Sequence, residues 1–328
     1  MRAAWYDRTG PAAAVLEIGE LPTPSPGPGE VLVRIAASGI NPHDTKRRAG
    51  WNGLRMAFPR IVPQADGAGT IEAVGAGVEA GRLGQRVWVH GGSPARPFGT
   101  AAEFAAVPAD WAHPLPAGVD VALGACLGVP ACTAHHAVFA DGPVEGKTVL
   151  VQAGAGAVGH FAVQFARQGG ARVIATASSP EKARHAAAGG ADHVVDYRTE
   201  DVIARVRELT GGRGVDRIVE VDFGANLKID AALIKDNGVV AAYSSTAVPN
   251  PSLPYYAFAS KGATLHFVQG LLLTPRARRA AVAGIEAGLS RGTLKATVAK
   301  RFPLANVAAA HAYLESGMAM GKVLVTVE

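Results

Sequence analysis

The stretch Val149-Leu150-Val151-Gln152-Ala153-Gly154-Ala155-Gly156-Ala157-Val158-Gly159 constrains this chain more than any other. A short apolar run feeds a Gly-x-Gly-x-x-Gly turn. Val158, Phe161, Ala162, Phe165 and Ala166 then recur at i, i+3, i+4, i+7 and i+8, one face of a helix. In such a turn Gly154 allows the tight reversal, Gly156 lets backbone approach a pyrophosphate, and Gly159 lets the helix lie close on the strand. The N–H groups opening the helix, at Ala157 and Val158, lack internal partners and sit at the positive end of its dipole. In a chain with 40 glycines the spacing alone means little. With a strand before it and a helix after it, the spacing points to a dinucleotide site.

The rhythm around this turn is strand and helix in alternation. Strands are expected at 148–153, 172–177, 193–197, 215–221, 239–243 and 264–268. Between them lie helices opened by Ser179-Pro180-Glu181, capped by Thr199, and spanning 226–235 before a turn at Asp236-Asn237-Gly238. That alternation is a doubly wound α/β parallel sheet. The first hundred residues instead read as short strands bounded by glycine, at 31–35, 69–74 and 86–90, a barrel-like β pattern. The tail carries helices at 275–289 and 304–314 and strands at 295–302 and 322–327, too little for a domain of its own. The expected division is residues 1–124 plus 270–328 for a β-rich catalytic domain and 125–269 for the dinucleotide domain.

Bulk properties exclude several classes. The 32 basic and 27 acidic residues are scattered, and Lys46-Arg47-Arg48 is too short a run for a nucleic-acid footprint. Two cysteines, Cys126 and Cys132, make neither a disulfide scaffold nor a zinc spacing. No apolar run reaches membrane-spanning length, and no apolar segment follows the first residues as in a secretion signal. The expectation is a soluble, cytoplasmic protein with a small-molecule partner and no nucleic acid.

Several segments, taken jointly and in order, resemble the zinc-free quinone oxidoreductase (ζ-crystallin-like) family of medium-chain dehydrogenase/reductases. They are Pro26-Gly-Pro-Gly-Glu-Val-Leu-Val33, Ser38-Gly-Ile-Asn-Pro-His-Asp44, Arg48-Ala-Gly50, Asp66-Gly-Ala-Gly69, Phe98-Gly-Thr-Ala-Ala-Glu103, Thr133-Ala134, the glycine turn, and Gly321-Lys322. The resemblance implies a GroES-like catalytic domain made from both termini, a Rossmann domain inserted in it, and a homodimer or homotetramer, with 264–268 as the pairing strand. Zinc-dependent relatives bear metal ligands where this chain has Asn41, Ala65 and Val129, none of which replaces Cys or His. No metal is expected.

An NAD-binding domain usually ends its second strand with an acid for the ribose. Here Ala177 is followed by Ser178, Ser179 and, within the next helix, Lys182. Hydroxyls and positive charge suit a 2′-phosphate, hence NADPH. Ser179 as a plain helix cap, Lys182 as a surface residue, and a ribose contact from Glu181 stand as the other readings. The resemblance adds Tyr197 at the phosphate, Asn41 and Thr133 beside the nicotinamide, Ser244, Phe267 and Val268 flanking it, and Lys322 approaching from the C-terminal segment. From the residues alone, Asn41 is equally a turn residue before Pro42, and Thr133 a helix-face residue.

Reduction of an unactivated ketone creates an alkoxide that wants a Lewis acid or a poised donor. A quinone becomes a phenolate-like anion, whose conjugate acid resembles tyrosine with its pKa of about 10, and takes its proton from water. A quinone is therefore the expected acceptor. Reduction of activated C=C bonds, in enals, enones or enoyl thioesters, is the alternative, and a non-catalytic NADPH-binding role is a third. The family often has tyrosine where Lys46 and Asn52 stand. Trp51 is open to two roles, stacking on a flat ring or packing in the core, and His43 to two, replacement acid or polar loop residue.

Overall fold

The computed structural model describes residues 1–92 and 96–327. The chain forms two compact units, Met1–Val129 with Ala296–Glu328, and Pro130–Lys295. In chain order the strands of the first unit are β1 (Arg2–Trp5), β2 (Glu17–Glu20), β3 (Glu30–Ile40), β4 (Asp66–Val74), β5 (Arg86–Val89), β6 (Phe104–Pro108) and β7 (Ala112–Pro114). The second unit holds β8 (Thr148–Val151), β9 (Arg172–Ala177), β10 (His193–Asp196), β11 (Val215–Glu220), β12 (Ile234–Ala242) and β13 (Thr264–Phe267). The chain then returns to the first unit with β14 (Val298–Pro303) and β15 (Lys322–Thr326).

The first unit is organised on β3, which alternates Val31, Val33 and Ile35 into the core with Arg34 outward. The sheet order is β14-β15-β3-β4-β5-β7, and β6 also pairs with β3. Two register shifts between β3 and β4 bend this pair, as bulges do. At the bend Gly69 is obligatory, since a Cβ there would lie 1.8 Å from the Arg34 carbonyl oxygen. Val87, Val89, Val107, Val323 and Val325 complete one apolar core, each worth about 1.5–3 kcal/mol when buried. The C-terminal strands thus enter the same sheet as the N-terminal ones.

The second unit is a six-stranded, wholly parallel sheet in the order β10-β9-β8-β11-β12-β13. This is the 3-2-1-4-5-6 order of the Rossmann fold, with its switch point between β8 and β11, where ligands bind at the strands' carboxyl ends. The near-continuous apolar runs of β8 and β9 agree with burial on both faces.

Several local expectations are corrected. The helix Val202–Leu209 is capped by Asp201, whose carboxylate accepts the Ala204 N–H at 3.0 Å, while Thr199 lies in the preceding turn. Residues 236–238 do not precede β12 but form an irregularity inside it, with Asn237 at φ 57°. β8 stops at Val151 because Ala153 turns to φ 54°. The unit boundaries fall at 129/130 and 295/296 rather than at 124/125 and 269/270. Val129 is tied to the first unit through its N–H bond to Asp66. The helix Pro275–Ser290 and its exit pack on the second: Gly284 lies against His135, and Gln164 Nε2 donates to the Lys295 carbonyl at 2.9 Å. No helix among the described residues is long and apolar enough to cross a membrane.

Candidate active site

The glycine turn connects β8 to the helix Ala157–Gln168, with Gly156 as its extended N-cap. None of Gly154, Gly156 and Gly159 takes a positive φ; the left-handed residue is Ala153. Gly154 is therefore needed for space rather than for the reversal, since a Cβ there would meet the Ala175 Cβ at 2.8 Å. A Cβ on Gly159 would lie 2.2 Å from the Ala153 carbonyl oxygen, the close approach of helix to strand expected from the sequence. At Gly156 the nearest neighbour would be the same oxygen at 3.4 Å, leaving that side of the helix start open. Free N–H groups at Ala157 and Val158 beside open space fit a pyrophosphate.

The carboxyl ends of β9 and β10 lie side by side, with Ala177 opposite Asp196 and the Tyr197 N–H donating to the Ala177 carbonyl at 3.1 Å. Ser178 and Ser179 follow Ala177, and Tyr197 stands half exposed at the neighbouring strand end. Ser179 caps the helix Pro180–Ala188 by accepting the Lys182 N–H at 3.2 Å, so its capping role is real. The exposed Arg198 lies next to Tyr197 and adds a second cation at this strand end, which reasoning from the sequence passed over. Asp196 does not serve as the missing acid of β9, since its carboxylate accepts the Arg198 N–H at 3.0 Å at the end of β10.

At the far strands, Ser244 follows β12 with its hydroxyl 3.0 Å from that of Thr246. Phe267 ends β13, 70% exposed, with its ring edge-on to Phe223. Val268 is buried and donates its N–H to Ala242 at 2.8 Å. Thr133 is buried in the helix Gly128–Phe139.

In the first unit, Asn41 ends β3's exit and caps the helix Pro42–Ala49. Its N–H donates to Asp44 Oδ2 at 2.8 Å, its Nδ2 donates to Asp66 Oδ2 at 2.9 Å, and its Oδ1 accepts from Lys322 Nζ at 2.5 Å. Lys322 Nζ also pairs with Asp66 Oδ2 at 2.6 Å. The second oxygen of Asp66 accepts the Val129 N–H at 2.8 Å, and Gly128 must lack a side chain because a Cβ would lie 2.1 Å from that oxygen. Asn41, Asp66 and Lys322 are all buried, so the ammonium is committed to this cluster. Asp66 was legible only as part of a family segment, because nothing in the sequence marks a strand-opening acid as buried.

Burial pushes the Asp44 carboxyl up to about 7, helped by the nearby Asp66 charge and opposed by the Asn41 N–H and Lys322. The same helix carries His43, whose imidazole burial lowers to about 4, with Arg47 and Lys46 adding to the shift. It is neutral at physiological pH, which weakens it as a replacement acid. Lys46 Nζ sits 4.5 Å from the centre of the Trp51 ring, so the lysine at one departure from the family's tyrosines packs on the residue just before the other, Asn52. Asn52 is exposed and left-handed at φ 53°. Among the described residues, no three His, Cys, Asp or Glu side chains converge as metal ligands.

Residues 27–117 match the alcohol dehydrogenase GroES-like domain and residues 157–282 the zinc-binding dehydrogenase domain. Rat quinone oxidoreductase is 31% identical over 323 residues, 97% of this chain and 95% of the relative. A Burkholderia 2-haloacrylate reductase is 32% identical, over 99% and 98% respectively. A mycobacterial protein solved in complex with NADPH superposes with a TM-score of 0.89 at 31% identity, covering 99% of this chain and all of that one. With a Rossmann sheet, a GroES-like partner unit and full-length relatives above 30% identity, this chain is an oxidoreductase of the medium-chain dehydrogenase/reductase superfamily, on its quinone oxidoreductase branch.

Proposed function

We propose that this oxidoreductase passes a hydride from NADPH to a quinone without a metal ion. The observation that carries the metal-free reading is the ammonium of Lys322, seated 2.5 Å from Asn41 Oδ1 and 2.6 Å from Asp66 Oδ2. Asn41 and Val129, at two of the three positions where zinc-dependent relatives hold their metal, both direct N–H groups to Asp66. The third, Ala65, has no donor atom in its side chain. A buried positive charge among them repels a divalent cation, and zinc needs three lone-pair ligands that these residues do not offer.

The residues of the second unit fit the cofactor. The amides of Ala157 and Val158 would hold the pyrophosphate, and Ser178, Lys182 and Tyr197 the 2′-phosphate. Ser244, Phe267 and Val268 lie at the strand ends where the nicotinamide half would sit. NADPH supplies the hydride when bound. The protein's part is to orient its ring and the acceptor and to keep water from the reacting face. A quinone needs no strong acid at its oxygen, so a site with His43 neutral and tyrosine replaced at 46 and 52 is compatible with it.

One observation favours a second reading. The relative named as a 2-haloacrylate reductase is as similar as the quinone reductases, and its named substrate is an activated alkene. Stopped-flow loss of NADPH absorbance separates the two. Turnover with benzoquinone and phenanthrenequinone, unchanged by chelators and absent with haloacrylate and enoyl thioesters, supports the proposal. Turnover confined to the alkenes overturns it, as does inactivation by a chelator. We also propose a homodimer paired along the edge strand β13, which sedimentation tests by finding dimer or monomer.

A further inference from the structure

The turn that receives the cofactor is not self-supporting. Ala153 adopts φ 54° without being glycine, a conformation that costs roughly 1–3 kcal/mol and persists only when its surroundings impose it. Those surroundings are specific. The Ala153 N–H donates to Thr176 Oγ1 at 3.0 Å, and the next N–H, of Gly154, donates to the Thr176 carbonyl at 2.9 Å. The Ala153 carbonyl in turn accepts the Gly156 N–H at 3.0 Å. One threonine near the end of β9 thus holds two consecutive amides of the glycine turn.

Its hydroxyl has a single proton. Gln152 Oε1 can only accept, so that proton goes to it at 2.9 Å, while a lone pair of the hydroxyl takes the Ala153 N–H. This fixes which way the Gln152 amide lies, and its Nε2 is buried without a hydrogen-bond partner among the described residues, as are both carboxyl oxygens of Asp230. Asp230 faces Glu220, and both carboxyls are fully buried. The Oε1 of Glu220 accepts from Asn226 Nδ2 at 2.9 Å and from the Asp222 N–H. Burial raises both carboxyls, and the neighbouring Glu220 charge raises Asp230 further. The hydrogen-bonded links run from Gln152, just after β8, to Thr176 on β9 and end on the glycine turn.

We propose that Thr176, oriented by Gln152, is a positioning residue for the dinucleotide, setting the backbone of 153–156 so that the helix N–H groups are aimed at the pyrophosphate. The inference rests on the cofactor seating at the glycine turn and is independent of the acceptor. Thr176→Val keeps the shape and removes the hydroxyl, leaving the Ala153 N–H and Gln152 Oε1 buried without partners. Loss of one such neutral bond at the site corresponds to about tenfold in affinity.

The experiment is direct fluorescence titration of NADPH and NADH without acceptor, with kcat at saturating NADPH measured alongside. Thr176→Val should raise both dissociation constants about tenfold and by the same factor, because the pyrophosphate is common to both. Its kcat should stay within about twofold, and Thr176→Ser should restore binding. Unchanged binding in Thr176→Val, a serine variant as weak as valine, or a loss confined to NADPH each overturns the inference. If the valine variant does not fold, Gln152→Met carries the same test: weaker binding of both nucleotides supports the assignment, and wild-type binding overturns it. Gly156→Asp, which fills the open side of the helix start, separates the underlying reading. Normal binding there refutes the glycine turn as the cofactor seat, whereas lost binding there with intact binding in Thr176→Val refutes only the role of Thr176.

Discussion

Replacing Lys322 by methionine tests whether the buried cluster of the first unit is held by charge. The substitution keeps most of the side-chain volume. It removes the ammonium from Asp66 Oδ2 and Asn41 Oδ1 and leaves a buried carboxylate held only by the Asn41 and Val129 N–H groups. Breaking a buried ion pair from one side costs about 3–5 kcal/mol. All four tryptophans, Trp5, Trp51, Trp88 and Trp111, lie in the first unit, so intrinsic fluorescence in urea reports on the unit that carries the pair. With a urea slope of about 2 kcal/mol per molar, the midpoint should fall by about 2 M. Adding Asp66→Asn to Lys322→Met should recover much of the loss. The introduced amide can still accept the Val129 N–H, and Asn41 Oδ1, released from the lysine, can accept from it. A Lys322→Met midpoint within about 0.5 M of wild type, or a double variant weaker than the single one, would refute the charge argument.

Lys182→Ala should weaken NADPH about 10–100-fold and leave NADH nearly unchanged, since a charge-assisted bond to the 2′-phosphate is worth about 1.5–3 kcal/mol; equal losses in titration refute the phosphate role. His311 is fully buried, and burial with the nearby Arg48 charge lowers its imidazole to about 3. Its folded value lies below the unfolded one, so its contribution to stability is complete above about pH 6.5 and is lost as pH falls toward 3. His311→Asn should flatten the urea midpoint across that window. Asp44 runs the other way: with its carboxyl raised to about 7, its contribution is complete below about pH 4 and lost as pH rises to neutrality, a decline that Asp44→Asn should remove. Burial lifts the Cys126 thiol to about 12, so iodoacetamide should leave it unmodified until urea unfolds the first unit.

Most of the second unit was legible because its signals are local. A parallel strand buried on both faces reads as a continuous apolar run, and the glycine spacing fixes what lies between the first strand and its helix. The errors arose where a local signal had two solutions. Thr199 and Asp201 are both capping residues, and only the folded turn at Asp196 decides between them. Asp236-Asn237-Gly238 has the composition of a turn, yet tertiary pairing with β11 and β13 carries it through as a strand irregularity. The glycine spacing assigns Gly154 the conformational role that Ala153 performs, since sequence does not reveal that the Thr176 hydroxyl holds the amide of an alanine in the left-handed region. The cluster of Asn41, Asp66 and Lys322 was the least legible. Its members are 256 and 281 residues apart at their key contacts, and polar residues in a sequence default to the surface.

The same cluster connects the two departures that define the proposed chemistry. A catalytic metal leaves an open Lewis acid that can stabilise an alkoxide. Here the positive charge is an ammonium, and its bonds are already directed at Asn41 and Asp66, with the charge balanced by one carboxylate. A charge so compensated does little for an oxygen anion developing elsewhere in the site. The loss of tyrosine at 46 and 52 and the lowered imidazole of His43 remove side-chain acids from the same unit. Both changes shift the demand onto the acceptor, which must already be electrophilic and yield an anion that water can protonate. Quinones meet both conditions, and alkenes conjugated to a carboxylate or carbonyl meet the first. The order of reactivity across such acceptors should therefore follow their own electrophilicity more closely than any fit to a proton donor, and a rate that tracked donor geometry instead would point to an acid that these residues do not supply.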